Sequence, residues 1–302
     1  MTQPAYRRLF QAGELHQKAE ILHQRLACCD LCPQLCRINR LAGEIGCCGV
    51  GEVAWVSSYG PHHGEEAPLR GHFGSGTIFF SGCNLSCVYC QNAEISQTLS
   101  GRPVTASELG SIMLELQALG CHNINLVSPT HVVGQIARAI AQAAENGLNL
   151  PLVYNSGGYD RVEILQLLDG FVDIYMPDMK YSLAAPGERY SDAPDYPGIN
   201  QAAVQEMHRQ VGDLVMDSSG IAQKGLLIRH LVLPDGIAGS SSILKFIAEK
   251  ISPDSYLNIM DQYHPAYQAN RYPELNRRIT KMEYQAVLDE ARELGLARLD
   301  LR

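Results

Sequence analysis

The chain has 302 residues, of which 46% are hydrophobic and 19% are charged, and its formal net charge is -8. This composition excludes a disordered chain, and the negative balance disfavours general binding of nucleic acid. No apolar run is long enough to span a bilayer and residues 1–10 carry no signal-peptide core, so we expect a cytoplasmic protein without membrane partners.

The first predicted elements are helices, and a cysteine-rich segment follows them. Apolar residues within 4–27 recur at helical spacing, which predicts one or two amphipathic helices. Six cysteines then fall within 28–48, three of them in the pattern C-x2-C-P-x2-C, and such cysteines indicate metal ligation in a chain without secretory features. We interpret Cys28 and Cys47 as spare neighbours. The four predicted ligands are Cys29, Cys32, Cys36 and Cys48.

The pattern leaves open which metal these four thiolates hold. A fully ligated 4Fe-4S cluster and a tetrahedral zinc ion both accept four thiolates, and thiols that merely pack are a third interpretation. We favour the cluster over zinc, because three of the cysteines lie within eight residues and the chain receives a cluster at a second cysteine group. The segment is then a small module whose fold depends on its metal.

The next segment predicts a short strand and a surface loop. Residues 53–58 fit a strand, and the proline- and glycine-rich residues 61–68 fit a loop. His63, Glu65 and Glu66 lie in this loop. A solvated turn is the simpler interpretation of each residue alone, but together they are candidates for proton donors or for holding a substrate cation.

A cysteine triplet with C-x3-C-x2-C spacing follows the apolar strand at 76–81. It consists of Cys83, Cys87 and Cys90. Three thiolates leave one iron of a four-iron cluster without a protein ligand, so that iron is open to a small molecule. A zinc knuckle that lacks its fourth ligand, or thiols buried as small hydrophobic groups, are the alternatives. Zinc sites usually pair their cysteines and close with a fourth Cys or His, which disfavours zinc here.

From residue 76 onward, predicted strands and helices alternate. Strands are predicted over 76–81, 123–127, 150–154, 172–176, 226–233 and 256–260, with an edge strand over 297–301. Helices are predicted over 105–119, 132–145, 202–216, 243–251 and 280–294, with capping boxes at Thr105 and Thr280 and a short helix capped by Asp160. This order predicts an α/β fold, a partial (β/α)6 TIM-type barrel over 75–302, after a helical and cysteine-rich module over 1–74.

Polar residues follow the predicted strands where a parallel α/β fold binds its ligand. The carboxyl ends of parallel strands meet at one edge, and that edge carries the ligand site. The candidate residues at these ends are Ser128, Thr130, His131, Asn155, Ser156, Asp178, Lys180 and Arg229. A plain hydrogen bond inside the barrel is the alternative role for each.

The triplet, with Tyr89 before its third cysteine, resembles the signature of the radical S-adenosylmethionine (radical SAM) superfamily. Together with C-x2-C-P-x2-C and the segments 74–83, 123–131, 173–180 and 258–260, the whole chain resembles its pyruvate formate-lyase-activating-enzyme-like iron-sulfur proteins. The resemblance implies a six-stranded partial TIM barrel with a 4Fe-4S cluster in its mouth. It implies reductive cleavage of S-adenosylmethionine (SAM) to methionine and a 5'-deoxyadenosyl radical, which abstracts hydrogen from a substrate.

The resemblance also implies roles for individual residues. Cys83, Cys87 and Cys90 would ligate the catalytic cluster, and SAM would be bound by Tyr89 and the polar residues at the strand ends. The family's Gly-Gly-Glu segment is absent, and the extra cysteines precede the triplet. Residues 62–68 and the loop predicted over 181–200 are candidate lids over the radical.

The implied partners are SAM, an electron donor such as flavodoxin or ferredoxin, and a substrate of one of three classes. These classes are a glycine of a partner enzyme, another peptide or protein side chain, and a small metabolite. The alternative from a different class is a non-enzymatic iron-sulfur or zinc protein, either an electron carrier or an adaptor. It predicts metal binding without SAM turnover.

Overall fold

A computed structural model describes residues 3–300 of the protein, and nine strands fall within that range. The strands are β1 (Ala54–His62), β2 (Ser75–Phe80), β3 (Arg102–Val104), β4 (Ile124–Val127), β5 (Leu152–Ser156), β6 (Ile174–Pro177), β7 (Val215–Met216), β8 (Ala222–Leu231) and β9 (Tyr256–Met260). The α-helices are α1 (Ala5–Gln11), α2 (Leu15–Gln24), α3 (Ala67–Arg70), α4 (Ala93–Ser96), α5 (Ala106–Ala118), α6 (Val133–Glu145), α7 (Val162–Leu167), α8 (Ala184–Ser191), α9 (Tyr196–Val211), α10 (Ser240–Phe246) and α11 (Lys281–Glu293).

Six strands pair in parallel and follow one another in chain order. β2 pairs with β4, β4 with β5, β5 with β6, β6 with β8, and β8 with β9. The antiparallel strands lie outside this series, because β1 pairs with β2 and β3 while β7 pairs with β8. Parallel neighbours need crossover connections, which the helices between the strands supply. The α/β class is confirmed, and the curvature of a partial barrel stays a prediction.

The N-terminal segment packs on the sheet domain and shares its hydrophobic core. Tyr6 and Leu22 are fully buried in the same cluster as Ile136 of α6. β1 forms a ladder with β2, so residues 54–62 belong to the main sheet. The boundary predicted at residue 74 stays a prediction, since the structure joins the two parts through one core.

Most predicted elements are confirmed within a few residues. β9 has the predicted bounds, and the helices predicted at both ends of the chain are present. Both capping boxes are formed: Thr105 accepts a bond from the Glu108 amide, and Thr280 accepts one from the Glu283 amide, with each glutamate bonding back. These motifs are local, so the sequence alone predicts them well.

Two predictions between β5 and β8 are wrong. Residues 181–200 are not an open loop, because they contain α8 and the start of α9, and α9 begins at Tyr196 rather than near residue 202. Pro197 lies in the first turn of α9, where its missing N–H is harmless. Asp160 does not cap α7; that position is Arg161, without a side-chain bond, and Asp160 is buried.

The loop predicted over 61–68 and the edge strand predicted over 297–301 also differ. β1 continues to His62, and Glu65 and Glu66 are buried beside the short helix α3 rather than solvated. In the tail, a single bridge pairs Leu299 with Leu257, and residue 301 lies outside the described residues. Between residues 3 and 300, none of the helices has the length and apolar character required to cross a membrane.

Candidate functional site

A cavity of about 290 Å³ opens at the carboxyl ends of the parallel strands. All three triplet cysteines line it, together with residues at or just after the carboxyl ends of β4, β5, β6 and β8. This is the edge at which parallel α/β folds bind their ligands. The predicted residues that line the cavity are Cys83, Cys87, Cys90, Tyr89, Ser128, Asn155, Ser156, Asp178, Lys180 and Arg229.

Each sulfur of the triplet faces a polar group of the protein. The Leu85 amide donates to the Cys83 sulfur at 3.4 Å, and the Ser191 hydroxyl donates to the Cys87 sulfur at 3.0 Å. The Cys90 sulfur lies 3.2 Å from the Ser96 hydroxyl. Burial is the main cause that raises the pKa of the Cys83 thiol to about 12, and the neighbouring Cys87 and Cys90 contribute to this increase. A bound cation would favour the thiolate form of Cys83.

Tyr89 belongs to a buried hydrogen-bonded chain that leads to Cys87. The Tyr181 hydroxyl lies 2.7 Å from the Tyr89 hydroxyl and 2.8 Å from the Ser191 hydroxyl, which in turn donates to the Cys87 sulfur. The Tyr89 ring also makes an edge contact with Tyr263 at 5.9 Å between centroids. Ser191 ends α8 and Tyr181 precedes it, both within the segment predicted as a loop. No sequence pattern indicated their contacts with Tyr89 and Cys87.

Three charged side chains form a network on the wall of the cavity. Arg229 donates from Nε to Asp178 Oδ1 at 2.9 Å and from Nη2 to Asn155 Oδ1 at 2.7 Å. Lys180 Nζ donates to Asp178 Oδ2 at 2.6 Å. Burial opposes ionisation of Asp178, but the charges of Arg229 and Lys180 prevail and hold the pKa of its carboxyl below the usual value. The wall thus presents two cations that share one carboxylate.

Glu65 and Glu66 lie behind this network. Burial has the largest effect on the pKa of Arg229 and lowers it, whereas the charge of Asp178 raises it. The carboxyl groups of Glu65 and Glu66 raise this pKa by smaller amounts. Asn258 of β9 donates to Glu66 Oε1 at 2.9 Å. Leu69 of α3, next in the chain, is fully buried against residues of β5, β6 and β8. Glu65, Glu66 and Pro68 are buried, whereas residues 62–64 and 67 are exposed. That residues 62–68 form a lid stays a prediction.

Thr130 and His131 stand apart from the cavity lining. The Thr130 hydroxyl donates to Asp160 Oδ1 at 2.7 Å, and Ser156, which does line the cavity, donates to Asp160 Oδ2 at 2.7 Å. His131 Nε2 lies 2.9 Å from the Ser81 carbonyl oxygen, and burial lowers the pKa of its imidazole to about 4. A neutral imidazole donates this bond, so both residues anchor backbone or buried groups in the described structure.

Ser128 is held in an unusual backbone conformation at the end of β4. Its φ is +57°, in the left-handed region that favours glycine, and its amide donates to the Asn155 carbonyl oxygen at 2.9 Å. Such residues cluster at functional sites, because the surrounding structure must compensate for the strain. No sequence pattern indicates this strain.

The N-terminal cysteines also come together. Cys29, Cys32 and Cys48 are buried, whereas Cys47 is exposed and its sulfur lies 3.4 Å from the Cys36 sulfur. Across residues 3–300, no three Cys, His, Asp or Glu side chains stand close enough to hold one metal ion as they are. A four-iron cluster takes one thiolate per iron, so its ligands stand farther apart than those of a single ion.

Three kinds of similarity to known proteins are found. Residues 70–173, which contain the triplet, match the family described as a 4Fe-4S single cluster domain, and this match supports an iron-sulfur cluster at the triplet. A solved structure of TYW1 with a lysine-pyruvate adduct bound has a TM-score of 0.43 and 12% identity, covering 72% of this chain and 73% of that chain.

Two curated relatives come from Methanocaldococcus jannaschii. The uncharacterized protein MJ0808 is 24% identical over 269 residues, which cover 81% of this chain and 73% of that protein. The uncharacterized protein MJ0674 is 32% identical over 292 residues, which cover 93% of this chain and 79% of that protein. The second similarity extends over nearly the whole chain, and the chain therefore belongs to the same protein family as MJ0674.

Proposed function

We propose that this protein is a radical SAM enzyme, which cleaves S-adenosylmethionine reductively and abstracts hydrogen from a substrate. The observation that carries the proposal is the shared cavity: the three triplet cysteines line it together with the Asp178, Lys180 and Arg229 network. The match of residues 70–173 to a 4Fe-4S single cluster domain supports the cluster.

The triplet fits a 4Fe-4S cluster with one open iron. Three thiols supply three ligands, and hydrogen-bond donors at Leu85 and Ser191 already face two of the sulfurs. When bound, such a cluster supplies one electron that breaks the sulfonium bond of SAM, giving methionine and a 5'-deoxyadenosyl radical that takes a hydrogen atom from the substrate. The work of the protein is binding, orientation and exclusion of water.

The charged wall suits the amino acid part of SAM, which carries one carboxylate and one ammonium group. Arg229 and Lys180 are the partners we propose for the carboxylate, since a guanidinium pairs well with it. Asn155, Ser156 and Ser128 line the same cavity and are proposed to contact the ribose hydroxyls. We keep Tyr89, Thr130 and His131 as predicted residues of this site.

The rim of the cavity offers a way to exclude water. Gln91, just after the triplet, donates from Nε2 to the Gln262 carbonyl oxygen at 3.2 Å. This bond joins the loop after β2 to the loop after β9, the two ends of the parallel series. We therefore propose that the cysteine loop itself helps to cover the site, beside the predicted lid at residues 62–68.

The substrate is proposed to be a protein, a peptide or a small molecule, and an activase-like reaction on a glycyl-radical enzyme is one case. The electron is proposed to come from a donor such as flavodoxin or ferredoxin. We also propose that the cysteines within 29–48 hold a second metal centre, and a second 4Fe-4S cluster is favoured over zinc.

The test is anaerobic reconstitution followed by assays of iron, sulfide and zinc, and then addition of reductant and SAM. We expect 5'-deoxyadenosine and methionine in equal amounts. Cys87→Ala should abolish both products, whereas Cys28→Ser is the matched control, because Cys28 is exposed and lies outside the cavity. Bound iron without any nucleoside would contradict the proposal and favour an electron carrier or adaptor.

A further inference from the structure

A fully buried arginine lies among the N-terminal cysteines. Arg40 is 1% exposed, and its Nη1 lies 3.6 Å from the Cys29 sulfur. Its other acceptors are the Gly51 carbonyl oxygen, at 2.9 Å from Nε, and the His131 carbonyl oxygen, at 2.7 Å from Nη1. None of these acceptors is a carboxylate, and Nη2 is without a hydrogen-bond partner among the described residues.

The charge of Arg40 needs compensation. A guanidinium stays protonated in proteins, and a buried charge without a counter-charge is strongly destabilising. Neutral thiols would leave Arg40 uncompensated. Four thiolates around a zinc ion, or around a four-iron core, carry a net charge of about -2, which would supply the missing anion.

The four thiols proposed as ligands gather in one part of the segment. Cys29, Cys32 and Cys48 are buried, and a Cβ added at Gly46 would lie 3.4 Å from the Cys48 sulfur and 3.7 Å from the Cys36 sulfur. Within the 47–48 pair, the Cys48 side chain is buried and the Cys47 side chain is exposed.

Cys28 and Cys47 are placed differently. The Cys28 sulfur is exposed and lies 3.7 Å from the Arg37 carbonyl oxygen. Cys47 is exposed as well, although its sulfur touches that of Cys36. A buried centre balanced by Arg40 therefore takes Cys48 rather than Cys47 as its fourth ligand.

The same segment supports the triplet loop. Gly82, directly before Cys83, has a φ of +81°, and a Cβ there would come within 2.4 Å of the Cys48 carbonyl oxygen. The backbone of the N-terminal segment thus packs directly against the start of the loop, where no side chain fits.

We propose that Cys29, Cys32, Cys36 and Cys48 form an anionic metal–thiolate centre, with Arg40 as its built-in counter-charge, and that this centre braces the loop that begins at Gly82. The inference rests on the proposed second metal centre but is independent of SAM cleavage. It assigns Arg40 as a residue that positions and stabilises the centre, without contact with the substrate.

The first test isolates this centre by removing the other one. In the triple variant Cys83→Ala, Cys87→Ala and Cys90→Ala, reconstituted anaerobically, we expect either four irons with four sulfides or one zinc per chain. Adding Cys48→Ser should release this metal, and adding Cys47→Ser instead should retain it. A metal-free triple variant, or metal lost with Cys47→Ser and kept with Cys48→Ser, would overturn the assignment.

The second test addresses Arg40 in the same triple variant. Arg40→Met and Arg40→Gln should lose the metal to a chelator at least tenfold faster, whereas Arg40→Lys, which keeps the charge, should lie close to the parent. Circular dichroism checks that each variant is folded. If one neutral variant fails to fold, the other carries the comparison. Equal metal loss from the parent and from a folded neutral variant would refute the role of Arg40.

Discussion

The two cysteine groups of this chain differ in what surrounds their sulfurs. The triplet follows β2 and opens onto a cavity of about 290 Å³, where Ser191 and the Leu85 amide face its sulfurs. In the N-terminal group, the Cys29 sulfur contacts the buried Arg40, and the Cys48 backbone lies against Gly82. Metal sites that catalyse keep a position open, whereas structural sites are closed. The surroundings, rather than the number of cysteines, separate a reactive site from a supporting one.

The largest effect should come from removing one ligand of each group. Cys87→Ala should reduce 5'-deoxyadenosine formation to background and leave the N-terminal metal in place. Cys36→Ala should remove the N-terminal metal and lower the rate without abolishing the reaction, because the open cavity is intact. Metal analysis and nucleoside assays on the two variants test this. If Cys36→Ala is inactive while the triplet keeps its four irons, the N-terminal centre has a direct part in turnover.

The charged wall of the triplet cavity gives the next largest effect. Asp178→Asn leaves Arg229 and Lys180 side by side without their shared anion, and all three side chains are less than one-fifth exposed. We expect the free energy of unfolding to fall by about 3 kcal/mol, as for a buried pair that loses one partner. Urea denaturation measures it. Glu249→Gln, in an exposed pair with Lys245, is the control and should cost less than about 0.5 kcal/mol.

The same substitution should change how stability depends on pH. The pKa of Asp178 is lower in the folded protein than its ordinary value of 3.8, so its contribution is full above about pH 4. That contribution is lost as the pH falls through the folded-state pKa. The difference in unfolding free energy between the wild type and Asp178→Asn should therefore shrink at low pH. A difference that stays constant between pH 6 and pH 2 would contradict this assignment.

A smaller effect separates the residues that line the cavity from those behind it. Thr130→Val removes the hydroxyl that donates to buried Asp160, and the free energy of unfolding should fall by about 1–2 kcal/mol. The KM for SAM should stay unchanged if Thr130 only supports the fold. Ser128→Ala is the matched variant on the cavity wall and should show the opposite pattern, with a raised KM and little loss of stability.

The features that could be predicted from the sequence are those that a short stretch of residues specifies. The triplet spacing, the six parallel strands and the capping boxes at Thr105 and Thr280 depend on short stretches of chain. Asp160 is a residue type that is common at helix N-caps, yet its side chain is buried. Its carboxylate accepts hydrogen bonds from the hydroxyl groups of Thr130, Tyr154 and Ser156. Arg40 contacts His131, which lies 91 positions along the chain, and Ser191 contacts Cys87, which lies 104 positions away. No local pattern reveals contacts over such separations.

The smallest predicted effect concerns the bond from Ser191 to the Cys87 sulfur. A hydrogen bond to a cluster sulfur stabilises the reduced form most, because that form carries more negative charge. Ser191→Ala should therefore lower the reduction potential of the catalytic cluster by about 20–60 mV, which corresponds to a net hydrogen bond of about 0.5–1.5 kcal/mol for one electron. Spectroelectrochemistry measures the shift, and Ser96→Ala at the less buried Cys90 should give a smaller one. An unchanged potential in Ser191→Ala would mean that the open cavity, rather than this buried bond, sets the properties of the triplet.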